Sequence, residues 1–169
     1  MEVEFISSLI DVLQKECEYH KQLCDTARAK KQTIIENDVE KLTEIIEDEK
    51  SILNDLDQLE NTRKKVLNKI AAELEIDEQP PHYNLIKAEI PDKYRDQLKD
   101  VRSKLLEVIE ELQKINDQNK SLLEEAIKLN KFNFQLMAEA IDPSNDIYSK
   151  NNDDNDNEDN NQHIMDRKA

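Results

Sequence analysis

Apolar side chains recur along this chain at alternating spacings of three and four residues. The first set is Val3, Ile6, Ile10, Leu13, Cys17, His20, Cys24 and Ala27, and Phe5, Leu9, Val12, Tyr19 and Leu23 widen that face. This periodicity marks an amphipathic helix and predicts one over about residues 2–36. The second set is Leu42, Ile45, Glu49, Ile52, Leu56, Leu59, Arg63, Val66 and Ile70, at strict heptad spacing. It predicts a helix over about residues 38–77. The third runs Leu98, Val101, Leu105, Val108, Leu112, Ile115, Asn119, Leu122, Ala126, Leu129, Asn133, Leu136 and Ala140. It predicts a helix over about residues 91–141. Leu106, Ile109, Leu123 and Ile127 give this last helix a second apolar edge, wide enough to touch two neighbours.

The interruptions are as informative as the stripes. Asn37-Asp38 breaks the first pattern, and Asn37 is positioned to cap the next helix with Glu40 three residues on, in the manner of a capping box. A hairpin is expected there, because one continuous helix could not cover its own apolar face. Pro80-Pro81 ends the second pattern, and a linker over 78–90 is expected to hold one helical turn at Tyr83–Lys87. Pro91 and Asp92 suit a helix start, and Asp142-Pro143 a stop. The fold class that follows is all-α, an antiparallel three-helix bundle of long coiled-coil-like helices forming one helical domain over 1–149. Residues 150–162 are nearly all Asn, Asp and Glu, so 150–169 is expected to be a disordered acidic C-terminal tail.

Helix length singles out a candidate surface. At 1.5 Å per residue the second helix spans roughly 58 Å and the third roughly 75 Å. If their ends are level, about ten residues of the third are left without neighbours. They carry two of the chain's three Phe. The candidate partner-binding residues are therefore Phe132, Asn133, Phe134, Leu136, Met137 and Ile141, with Tyr148 beside them on the tail. The alternative is a staggered third helix in which these side chains finish the core.

Composition narrows the function. The chain has no Gly among its 169 residues, which disfavours phosphate-cradling loops and tight β turns. A formal net charge of −15 argues against nucleic acid and against anionic membrane surfaces. No run is long and apolar enough for membrane insertion, and the N-terminus lacks signal-peptide character. Two Cys make no disulfide framework, so a reducing cytoplasm is the expected setting.

Candidate chemistry is sparse. Cys17, His20 and Cys24 share a face and are metal-ligand types, but all three fall in an apolar seam and read better as packing residues. No Glu is followed three residues later by His, and no nucleophile constellation stands out. An enzyme is not expected, and neither is a cofactor or metal. Glu49, Arg63, Asn119 and Asn133 interrupt the seams, as residues that fix helix register do.

The stretch Lys30-Lys31-Gln32-Thr33-Ile34-Ile35-Glu36-Asn37-Asp38-Val39-Glu40-Lys41-Leu42 resembles FlgN-type flagellar export chaperones. The likeness continues through Glu49, Leu53, Leu59 and Arg63, then Asn116, Asn119, Leu122 and Leu123, to Ile147-Tyr148. It covers roughly residues 5–150. Where the family often has an acidic residue and a Gly after the Tyr, this chain has Ser149-Lys150-Asn151. The resemblance implies a cytoplasmic chaperone that binds the C-terminal helices of the hook-associated proteins FlgK and FlgL. It would prevent their premature assembly and deliver them to the flagellar type III export apparatus. A generic coiled-coil adaptor and a thiol or metal sensor built on Cys17, His20 and Cys24 are the competing readings.

Overall fold

Among the described residues, four helices make up the regular structure: α1 (Val3–Glu36), α2 (Val39–Glu73), α3 (Tyr83–Glu89) and α4 (Asp92–Ile141). The structure, a computed structural model, describes residues 3–77 and 81–141. Among these residues there is no strand. The expected tail, with Ile147 and Tyr148, lies outside the described residues. By its internal contacts the chain divides into a unit from Met1 to Asn130 and a second from Lys131 to Ala169.

The turn between α1 and α2 is two residues long, and each does a different job. Asn37 adopts a left-handed conformation (φ 56°). Its N–H bonds the Ile34 carbonyl at 3.2 Å, and the Asp38 N–H reaches back to the Thr33 carbonyl at 3.2 Å. That is the Schellman pattern, which closes a helix end around one left-handed residue. Without a Gly, Asn is the residue that tolerates this conformation best. Asp38 is the N-cap of α2, with its carboxylate accepting the Lys41 N–H at 3.0 Å. The expected roles are thus shifted by one: Asn37 ends α1, Asp38 starts α2, and Glu40 stands too early to complete a capping box.

α2 also ends earlier than its periodicity suggests, at Glu73 rather than near Asp77. Glu75 is left-handed (φ 53°), and the Ile76 N–H bonds the Ala71 carbonyl at 2.9 Å, a second Schellman-type closure. The linker holds a seven-residue helix, α3, longer than the single turn expected. Arg95 explains its tie to α4: Nε and Nη2 donate to the carbonyls of Lys87 and Ile90 at 2.9 and 3.0 Å. Those groups would otherwise be unsatisfied at the C-terminal end of α3.

α1 is the common neighbour of the other long helices. Against α2 the partners run in opposite order: Lys30 pairs with Glu49, Glu16 with Arg63, and Lys69 lies 5.4 Å over the Phe5 ring. The pair is an antiparallel hairpin. Against α4 the numbers rise together. The Cys24 thiol meets the Val108 carbonyl at 3.7 Å, Arg28 pairs with Glu111, and Lys31 bonds Gln118 at 3.1 Å. α4 therefore runs parallel to α1.

The main core gathers where α3 caps the long helices. It combines Ile6, Leu9, Ile10, Leu13 and Cys17 with Val66, Ile70, Ile86, Ile90, Leu98, Val101 and Leu105. Each fully buried aliphatic side chain contributes about 1.5–3 kcal/mol. Toward the α1–α2 turn the core thins to Leu23, Cys24, Ala27, Ile34 and Ile45, with Thr33 and Asn119 among them. The second apolar edge of α4 does not find a second neighbour: Leu106, Ile109, Leu123 and Ile127 are all exposed.

Candidate partner-binding surface

Every side chain from Lys131 to Ile141 is exposed. Phe134 is 72% exposed, Met137 61% and Ile141 82%, with Phe132 and Leu136 about half exposed. Asn133 is exposed between them. Large apolar groups in water favour a partner that covers them, and Met and aromatic side chains adapt to several partner shapes.

The segment folds as helix for local reasons. Between Lys131 and Ile141 the strong helix formers Lys, Gln, Leu, Met, Ala and Glu outnumber Phe132, Asn133, Phe134 and Ile141, and there is neither Gly nor Pro. The helical twist then divides the candidate residues. Phe134, Met137 and Ile141, spaced three and four apart, share one stripe. Phe132 and Leu136, four apart, share another, about 150° around the helix at 100° per residue. A single flat partner surface cannot meet both stripes. Asn133 lies between them, and Tyr148 is outside the described residues.

The first unit has open grooves of its own. One, of about 270 Å³, has a floor of Leu9 and Leu13 and walls from α2 (Arg63, Leu67), α3 (Tyr83, Ile86) and α4 (Leu106, Ile109). A second, of about 200 Å³, lies by the α1–α2 turn, where Val39 and Leu42 face Leu123 and Ile127. A wider cleft between α1 and α4, of about 520 Å³, is lined mostly by polar and charged groups such as Asp11, Glu18, Lys21, Asp100 and Lys104. The two apolar grooves were visible in the sequence only as the unexplained second edge of α4.

Polar groups inside the first unit are structural. Arg63 Nε stands 3.0 Å from the carboxylate of Glu16, but its N–H is not aimed along that line. The contact is an ion pair without a formed hydrogen bond. Glu16 is only 5% exposed, and burial raises its pKa above the ordinary carboxylate value despite the opposing pull of Arg63 and His20. Sequence reading passed over Glu16, although it fills the gap in the flanking stripe between Val12 and Tyr19. Asn119, 4% exposed, donates from Nδ2 to the Ala27 carbonyl at 2.7 Å, pinning α4 to α1 at one register.

Cys17 and Cys24 are free and buried. Burial, reinforced by Glu111, pushes the Cys24 thiol pKa up, away from the thiolate that reactivity and metal binding need. The His20 ring nitrogen Nδ1 is held at 2.7 Å by the backbone carbonyl of Glu16. Among the described residues no three His, Cys, Asp or Glu side chains are grouped to hold a metal, and no helix is long and apolar enough to cross a membrane.

Compared with known families, residues 1–155 match the model described as FlgN protein, in agreement with the resemblance in the sequence. No curated protein and no solved structure matches the chain.

Proposed function

The chain belongs to the FlgN family, and from that premise we propose that it is a flagellar export chaperone that holds hook-associated proteins before their export. The clients in this reading are FlgK and FlgL, bound through their amphipathic C-terminal helices. The chaperone keeps them unassembled in the cytoplasm and hands them to the flagellar type III export apparatus. It does no covalent chemistry. α1, α2 and α4 serve as an antiparallel three-helix bundle that presents the binding surface.

The observation that carries the reading is the exposed stripe of Phe134, Met137 and Ile141. An amphipathic client helix removed from its assembly partners needs an apolar surface spaced at helical intervals, and this stripe offers one. The second stripe, Phe132 and Leu136, gives the same segment a further contact with a client that wraps around it. The net charge of −15 keeps the loaded complex soluble and draws it toward basic surfaces.

The test is capture of the C-terminal segments of FlgK and FlgL by the full chain and by the double variant Phe134→Ser, Met137→Ser. The expected result is capture of both segments and a loss of affinity of about tenfold or more in the variant. Helicity and melting temperature should hold, because both side chains are exposed. Equal capture of unrelated amphipathic helices would make the protein a generic adaptor. Unchanged capture by the variant would move the site elsewhere.

A further inference from the structure

The two apolar grooves of the first unit have common walls. Val39 lines the groove by the turn and Leu67 the groove by α3. These two positions are a multiple of seven apart on α2, with Ile46, Leu53 and Glu60 at the heptad steps between them; Ile46 and Leu53 are exposed, and Glu60 pairs with Lys64 at 2.9 Å. On α4, Leu106 and Ile109 line one groove and Leu123 and Ile127 the other. Residues seven or fourteen apart stay on one face of packed helices. The grooves therefore lie on one face as the apolar ends of a cleft walled by α2 and α4 over α1, and between those ends the same faces carry Glu60 on α2 and Gln113, Asn116 and Lys120 on α4. Three helices arranged in this way leave the place of a fourth helix open.

We propose that this cleft seats an amphipathic helix of the exported client, about 21 residues long, as the fourth helix of the bundle. The length comes from Leu106 to Ile127, roughly 32 Å of helix. The proposal rests on the chaperone reading and adds a second client surface to the end of α4.

Charge selects the occupant. The chain as a whole is strongly acidic, yet the charged groups lining the α3 end of the cleft are two arginines, Arg63 and Arg102. Arg63 already serves Glu16. Arg102 lies 4.7 Å over the Tyr83 ring and has no carboxylate partner among the described residues. A client helix carrying an Asp or Glu at that end gains an ion pair with Arg102 while its apolar residues meet Leu106 and Ile109. A second copy of this chain, carrying the same net charge of −15, is repelled.

Binding of the FlgK C-terminal segment to the full chain, read by fluorescence anisotropy, tests the proposal. The variants are Leu106→Asp with Ile109→Asp on one wall and Leu53→Asp on the other. Each should weaken binding on the order of tenfold or more, and Arg102→Glu should weaken it most at low salt. If a variant loses helicity, Leu106→Ala and Leu53→Ala replace it, with the same expected direction. Wild-type binding that all wall variants preserve overturns the cleft and leaves the chaperone reading intact. No wild-type binding overturns both. Sedimentation showing a dimer that the wall variants dissociate overturns the proposal in favour of a second copy, and a photo-crosslink from position 106 to the chain's own C-terminal segment overturns it in favour of self-occupation.

Discussion

Replacing Asn119 by Leu should stabilise the protein. The Asn119 side chain is buried, and it makes one hydrogen bond, from Nδ2 to the Ala27 carbonyl at 2.7 Å. Its Oδ1 is buried with no partner. Losing the bond costs about 1 kcal/mol. Ala27 lies well inside α1, so its carbonyl keeps the intrahelical bond that any such residue makes and is not orphaned. Removing the unpaired Oδ1 recovers about 1–3 kcal/mol, and an aliphatic side chain at this buried position adds about 1 kcal/mol of apolar burial. The balance is a gain of about 1–3 kcal/mol, or roughly 2–12 °C in melting temperature for a chain of this size. Urea unfolding followed by circular dichroism at constant m-value reads the change directly. The compensating loss is register: without the tie to Ala27, amides of α4 beyond Leu112 should exchange hydrogen faster. A loss of 1 kcal/mol or more in Asn119→Leu would refute the reasoning, because it would mean that Oδ1 is satisfied in the native protein.

Two further outcomes follow from the interior and the turn. Glu16 has its pKa raised by burial, so the folded state holds the proton more tightly than the unfolded chain. Its contribution to stability is fully present below the ordinary carboxylate pKa and is lost as pH rises through the raised value. Glu16→Gln should therefore gain on the wild type as pH increases through that window, by urea midpoints measured from acid to neutral pH. A wild type that gains instead would show that Arg63 outweighs burial. Asp38→Ala removes the acceptor for the Lys41 N–H and should cost about 1 kcal/mol, whereas Asp38→Asn should cost little. Equal losses in both would mean that the carboxylate acts by charge rather than by capping.

The three long helices were legible in the sequence because helix formation is local. Bonds four residues apart and an apolar face repeating every 3.6 residues are written into consecutive positions. The FlgN resemblance was legible for the same reason, as short motifs spread along those helices. The exposed Phe134, Met137 and Ile141 could be named as candidates, but their division from Phe132 and Leu136 emerged only when the helical twist was applied to the α4 segment. Other features depend on what lies opposite. The same apolar spacing is core at Leu105 and exposed at Leu106, according to whether a neighbouring helix reaches it. Glu16 is buried because α2 brings Arg63 to it from a distant part of the chain. Asp38 rather than Asn37 caps α2 because, without Gly, Asn37 is the residue that best tolerates the left-handed backbone closing α1. Periodicity states which side chains seek cover; only the tertiary arrangement decides which receive it, and leaves uncovered the faces of α4 that a partner can fill.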